Sequence, residues 1–217
     1  MKKVFLGITF LSLVSSAVYS QNIRFGFQAG TAIASQKAKS SGINVNSDSK
    51  VSLTAGLLAD VPLAGAITFQ PALNFTQKGS KFNLAQDGFS VKSTETLNYL
   101  ELPLNVLYNG TAGSGKFFGG LGPVLSYGLS GKSTYEESGE PKVSEDVKFG
   151  SNKDEDHYKP FELGGNILAG YEFSNGVFVA ASYFAGLSNI AVDNSDNTSV
   201  KNNYFGIRLG YKLAGKK

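Results

Sequence analysis

The chain has 217 residues, 41% hydrophobic and 17% charged, with a formal net charge of +3, 26 glycines, 10 tyrosines and no cysteine. Without cysteine there are no disulfides and no thiolate chemistry, so packing and backbone hydrogen bonds must supply the stability. The small net charge gives no basis for nucleic-acid binding, and abundant glycine with aromatics and no repeat period excludes collagen and points to tightly turned β-structure.

At the start, Met1-Lys2-Lys3 precedes an apolar run from Val4 to Leu13 that continues through Val14-Ser15-Ser16-Ala17-Val18 to Tyr19-Ser20. Positive charge, an apolar stretch and compact residues at Val18 and Ser20 are the layout of a secretory signal. The run is shorter than the roughly 20 apolar residues of a spanning helix. Cleavage is expected between Ser20 and Gln21, leaving a signal peptide over 1–20 and one domain over 21–217. Loss of Lys2 and Lys3 would lower the net charge from +3 to +1. No cysteine follows, which excludes lipid attachment at a lipobox.

From Ile23 onward, apolar residues alternate with period two in eight segments separated by turn-rich stretches. The first strand contributes Ile23, Phe25, Phe27, Ala29 and Ile33. The second contributes Val51, Leu53, Ala55, Leu57, Ala59, Val61 and Leu63, the third Ile67, Phe69, Pro71, Leu73 and Phe75, and the fourth Leu100, Leu102, Leu104, Val106 and Tyr108. The fifth carries Phe117, Leu121, Leu125, Tyr127 and Leu129; the sixth Phe161, Leu163, Ile167, Ala169, Tyr171 and Phe173. Val177, Val179, Ala181, Tyr183 and Leu187 mark the seventh, and Phe205, Ile207, Leu209, Tyr211 and Leu213 the eighth. None of these positions is charged.

The opposite face decides which side is wet. A soluble barrel or sandwich would show lysine and glutamate there; here it is mainly Gly, Ser, Thr, Asn, Gln and Ala, which suits an enclosed polar lumen. Aromatics near both strand ends of the apolar face match the belts of a membrane barrel. Ala64-Gly65, Ala112 to Gly115 and Ser174-Asn175-Gly176 read as tight hairpins, whereas Gln36 to Lys50, Lys78 to Glu95, Gly131 to Lys159 and Ser188 to Asn203 read as long polar loops. Strict alternation of short and long connections predicts a closed eight-stranded antiparallel up-and-down transmembrane β-barrel, all-β, with both termini at the periplasmic end. Pro71, Pro103 and Pro123 oppose this, because each removes a ladder donor; bulges or strand ends would have to absorb them.

Tyr99-Leu100-Glu101-Leu102-Pro103-Leu104-Asn105-Val106-Leu107-Tyr108 resembles the fourth-strand signature of the PorT-like outer-membrane β-barrel family of Bacteroidetes, loosely called a porin family. Phe118-Gly119-Gly120-Leu121-Gly122-Pro123-Val124-Leu125-Ser126-Tyr127 is similar to the Gly-Pro strand that follows it there, and the ending Tyr204-Phe205-Gly206-Ile207-Arg208-Leu209-Gly210-Tyr211 resembles the closing strand. The resemblance implies an outer-membrane barrel with prolines at matching places and implies no settled activity. The tail Ala214-Gly215-Lys216-Lys217 departs from it by extending past the last strand.

Eight strands leave an interior about wide enough for side chains to fill, and inward Tyr99, Phe118, Phe178, Phe184 and Tyr204 would narrow it. Arg24, Asp60, Glu101, Glu162, Glu172, Arg208 and Lys212 are the charges on the inward face, expected either to pair as a stabilising plug or to line a gated ion path. Arg208 facing Glu101 or Glu162 is the expected central pair. The stretch Gly131 to Lys159 holds Glu136, Glu137, Glu140, Glu145, Asp146, Asp154, Glu155 and Asp156, yet lacks the glycine-centred calcium-loop pattern and interleaves Lys142, Lys148 and Lys153, which reads as a solvated surface. His157, the sole histidine, sits beside acids but on a loop rather than a strand face that could fix a nucleophile. The sequence therefore points to a monomeric structural or surface-interaction protein, not an enzyme, without cofactor, in contact with outer-membrane lipids, the assembly machinery and an unknown extracellular ligand or protein. A narrow gated pore is the rival reading, and a lipid-modifying enzyme the third.

Overall fold

The computed structural model of the protein describes residues 23–40, 43–86, 89–153, 155–193 and 198–214, so the signal segment expected over 1–20 lies outside the described residues. Ten strands follow in chain order: β1 (Arg24–Ser40), β2 (Ile43–Asn46), β3 (Lys50–Ala64), β4 (Ile67–Gln86), β5 (Phe89–Ala112), β6 (Gly115–Glu137), β7 (Val143–Val147), β8 (Phe161–Glu172), β9 (Val177–Gly186) and β10 (Ser199–Lys212). Eight of them form a ring of antiparallel neighbours in the order β1, β3, β4, β5, β6, β8, β9, β10. β10 closes it onto β1, from Gly26↔Lys212 to Lys39↔Ser199 without a break in register. β2 adds to β1 and β7 to β6 beyond the ring.

Closure explains why alternation is so regular. With no free edge inside the apolar layer, backbone groups find their partners across strands, and side chains divide between an outer and an inner face. Phe161 is 73% exposed, Leu121 65% and Leu57 64%, all pointing outward, whereas Thr54, Thr76, Ser126 and Asn166 are buried inside. This inversion of the soluble pattern is stable only if the outer face meets lipid. No described helix is long and apolar enough to cross a membrane, a test that does not address strands. At one end the connections are tight: Gly65, Gly113 and Gly176 have φ of 54°, 60° and 87°, the left-handed region that two- and three-residue hairpins require.

The prolines sit within strand interiors. Between β4 and β5 the ladder passes from Pro71↔Leu104 to Asn74↔Glu101, and between β5 and β6 from Pro103↔Val124 to Val106↔Leu121, skipping rungs while keeping register. Only Pro62 accompanies a register shift, between β3 and β4. Missing donors are absorbed by local gaps in an otherwise continuous ladder.

The expected loop from Lys78 to Glu95 is corrected: β4 and β5 remain paired through it, from Lys78↔Leu97 to Gln86↔Phe89. Likewise Gly131 to Glu137 extends β6 against β5, and Val143–Val147 returns as β7. The 24 residues of β5 compare with roughly 9 to 11 needed to cross the apolar layer, so about a dozen residues, some 40 Å along the strand, project past it. Along that projection backbone pairing continues from Lys78↔Leu97 to Gln86↔Phe89 without the strict alternation of the spanning part.

Glycine on the inner face is a matter of space. A Cβ on Gly164 would run into the Phe184 ring, one on Gly170 into Phe118 and one on Gly210 into Phe178. Each of these three rings lies over a glycine of a neighbouring strand, the small-against-large filling of a narrow barrel. Gly210→Val should cost about 1 to 3 kcal/mol through overpacking. In lipid vesicles this appears as a lower urea midpoint for the heat-modifiable folded band, and an unchanged midpoint would show that the ring has free room.

Candidate functional site

The charged lumen is built in layers along the barrel axis. Near the short-turn end, the first residue of β1, the C-terminal part of β3 and the last residues of β8 and β10 bring Arg24, Asp60, Glu172 and Lys212 together. Arg24 donates from Nη1 to Glu172 Oε1 at 2.6 Å and from Nη2 to Glu172 Oε2 at 2.7 Å, with Asp60 Oδ2 at 3.2 Å. Lys212 Nζ lies 2.7 Å from Asp60 Oδ2 and 3.2 Å from Glu172 Oε2. Gln70 Nε2 donates to Asp60 Oδ1 at 2.7 Å. Beneath Lys212 stand Phe118 and Phe178, with centroids at 4.8 and 5.3 Å from its nitrogen, a cation held by both carboxylates and ring faces.

Towards the long-loop end, a second layer centres on Lys78. Its Nζ lies 2.8 Å from Glu101 Oε1 and 2.8 Å from Glu162 Oε2, with no exposure of any of the three side chains. Ser126 Oγ accepts from it at 3.2 Å, and the rings of Phe184, Tyr99 and Tyr204 surround it at 3.9, 4.6 and 5.8 Å. Asn202 Nδ2 donates to Glu162 at 3.2 Å and Tyr204 Oη to Glu101 Oε2 at 2.9 Å.

Lys78 alters the expected pairing. Arg208 does not pair with Glu101 or Glu162; it donates to Ser182 Oγ at 2.9 Å and to Tyr204 Oη at 3.3 Å, and Tyr204 alone relays it to Glu101. A lysine with a compact ammonium reaches between two carboxylates that the bulkier guanidinium on β10 does not approach. The seven inward charges named from sequence sum to −1, and Lys78 makes four cations and four anions. Two signals pointed to it: that imbalance, and the run Gln70, Ala72, Asn74, Thr76 on the inner face of β4, whose next member is Lys78.

Between the layers lie Leu58, Ala72, Leu107, Phe118, Leu168, Phe178 and Ala180 in one buried cluster. Gln28 donates to Asn74 at 2.9 Å and Asn166 to Asn105 at 3.1 Å. The cavity left there is about 10 Å³, room for roughly one water.

A third element covers the lumen at the long-loop end. Phe149 stacks edge-on against Tyr99 at 5.4 Å and lies 6.4 Å from Tyr158; Leu97 and Val147 are buried in the same cluster, and Ala191 bridges to the Tyr158 backbone. The segment expected as solvated is thus partly folded inward. Tyr158 Oη donates to Glu95 at 3.1 and 3.2 Å, and Gln36 Nε2 donates to the same carboxylate at 2.9 Å. Glu95 stands on β5 beyond Leu100, the end of its apolar outer face, and burial raises its pKa above the ordinary 4.5. His157 Nδ1 accepts the Lys148 N–H at 3.2 Å, so the ring serves the loop's backbone. Among the described residues, no group of three or more acids, histidines or cysteines is gathered to hold a metal ion.

A sequence model of the outer membrane protein beta-barrel domain matches residues 19–192. Among solved structures, the chain is similar to Ail, the attachment invasion locus protein of Yersinia pestis, at 15% identity over 88% of this chain and 98% of that one, with a TM-score of 0.39. It is similar to Neisserial surface protein A at 16% identity over 87% and 97%, TM-score 0.40. For OprG of Pseudomonas aeruginosa the values are 15%, 89%, 95% and 0.39. No curated protein matches the chain.

Two outcomes follow from the geometry. Lys78→Met leaves two buried carboxylates without a cation and should destabilise the barrel by about 3 to 5 kcal/mol, whereas the triple change Lys78→Met, Glu101→Gln, Glu162→Gln should recover most of it; urea unfolding in vesicles reads both. For Glu95 the folded pKa is the higher one, so its contribution is fully present below the unfolded value and is lost as pH rises through the folded value. The cover should therefore be most resistant to limited proteolysis in acid and loosen with rising pH above about 4.5, and Glu95→Gln should flatten that dependence.

Proposed function

From the premise that the chain belongs to the family of outer membrane protein beta-barrel domains, we propose that it is a non-conducting barrel whose working surface is the end built by its long connections. One observation carries this: between the two charge layers the lumen is packed with side chains and the cavity left among them is about 10 Å³. A hydrated ion needs a continuous water path, and an eight-stranded barrel with its interior filled offers none.

In this reading the tight hairpins and both termini face the periplasm and the β4–β6 projection stands outside the cell, as is usual for such barrels. Membership of the PorT-like branch of Bacteroidetes is supported by the resemblance of the motifs at Tyr99–Tyr108 and Phe118–Tyr127. It works as a monomer without cofactor or catalysis, inserted by the outer-membrane assembly machinery, and presents its projection to an extracellular ligand or protein. What supports that role is rigidity: strands paired far beyond the lipid hold their outer residues in a fixed array, with Phe82, Leu84, Tyr135 and Val143 exposed on it.

Two measurements test the reading. Purified protein in planar bilayers should show no steady unitary conductance; a stable open channel in the wild type would make it a pore. In intact cells, Glu140→Cys should react with a membrane-impermeant maleimide and Ser114→Cys should not, and the reverse labelling would invert the topology.

A further inference from the structure

On the outer face at the long-loop end, β1 and β10 carry Lys37, Lys39 and Lys201. Lys37 and Lys201 are directly opposed partners, and Lys39 is opposite Ser199. On its other side Lys37 is paired with Asn46 of β2. These side chains line a shallow cavity of about 430 Å³, together with Ala38. Its polar groups are three ammoniums, an amide and a hydroxyl, and no carboxylate faces it among the described residues.

Like charges directly opposed across an antiparallel pair are unfavourable, and no carboxylate among the described residues relieves these. Elsewhere on exposed connections, Lys142 lies 2.7 Å from Glu136 and Lys153 lies 3.7 Å from Asp193. None of Lys37, Lys39 and Lys201 has an ion-pair partner among the described residues. A cluster of cations left unneutralised on a fixed sheet surface is arranged for an external anion.

Position identifies the anion. Lys37 stands on the same face as exposed Ile33 and four residues beyond it; Lys201 is likewise four residues beyond exposed Phe205. Four residues are about 13 Å along a strand, which a tilt of roughly 40° makes about 10 Å above the last lipid-facing side chains. That is the depth at which headgroups lie, and on that face only the Ser35↔Asn203 pair stands between the Lys37↔Lys201 pair and the Ile33↔Phe205 pair below it. We propose that this groove binds the phosphate groups of an outer-leaflet phosphoglycolipid, its acyl chains lying against Ile33, Val51 and Phe205. The assignment rests on the topology given above, in which this end faces outward.

The test uses the refolded barrel in detergent micelles, where either orientation leaves the groove accessible, so failure here is distinct from failure of the cysteine-labelling test of topology. Native mass spectrometry compares retention of bisphosphorylated lipid A, the same lipid chemically dephosphorylated, inorganic phosphate and a soluble sulfated disaccharide. The phosphorylated lipid should be retained in preference. The change of Lys37, Lys39 and Lys201 to Gln should weaken it by about a hundredfold, each lysine near an anionic surface being worth roughly a factor of five, while the same three changes to Arg retain binding. Heat-modifiable mobility of each variant verifies that it is folded. Equal retention of the dephosphorylated lipid, or insensitivity to the Gln changes, would overturn the proposal. Displacement by the soluble sugar or by free phosphate at comparable concentration would overturn the lipid as occupant.

Discussion

A closed sheet of eight strands has an interior that side chains can fill, and any charge placed there must find its partner there. The ion pairs of Lys78 with Glu101 and Glu162, at 2.8 Å each, are where that constraint is tightest, since none of the three side chains touches solvent. Four cations answer four anions in two layers, and the rings of Phe118, Phe178, Phe184 and Tyr204 fill what lies around them. The glycines opposite those rings, the neutral outer wall and the near-closed cavity all follow from packing polar groups into a space with no room for bulk water. Burying so much charge is a poor way to gain stability, because desolvation offsets the attraction. Its effect is to fix which strands face one another: Lys78 ties β4 to β5 and β8, and Arg24 ties β1 to β3 and β8.

The two ends of the barrel are then free to differ. Three hairpins of minimal length close one end, and there the first charge layer sits almost at the rim, with Arg24 partly exposed. At the other end the wall is uneven, because β4, β5 and β6 run far past β8 and β9. Aromatic packing of Phe149 and Tyr158 on Tyr99 seats a loop over the lumen, and Glu95 fastens it. The same end carries the one concentration of unpaired cations on the outer wall among the described residues.

Where each strand crosses the membrane, one face meets lipid and the other the lumen, so the residues themselves record the register. The parity of Val51 to Leu63, Leu100 to Tyr108 and Phe161 to Phe173 is sufficient to sort outward from inward, and it places Asp60, Glu101 and Glu162 inside. Past the apolar layer this record fades. Lys78-Gly79-Ser80-Lys81 has the composition of a turn, yet it continues β4, because cross-strand backbone bonds carry no side-chain signature. Lys78 belonged to the lumen by parity and to a loop by composition, and the composition was misleading. The choice of partners was also beyond reach: Arg208 and Lys78 both lie within the layer that holds Glu101, and only the lengths and shapes of their side chains, set against Tyr204, decide which reaches the carboxylate.

The lumen is sealed around a charged lysine. Nitrogen-15 spectroscopy of the lysine side chains in lipid bilayers tests it directly, through exchange of ammonium protons with water. A resolved Lys78 signal of the charged form is expected, with protons that exchange far more slowly than those of exposed Lys37 and Lys39. Exchange as fast as at those surface positions would mean that water reaches the centre of the barrel, and would contradict it.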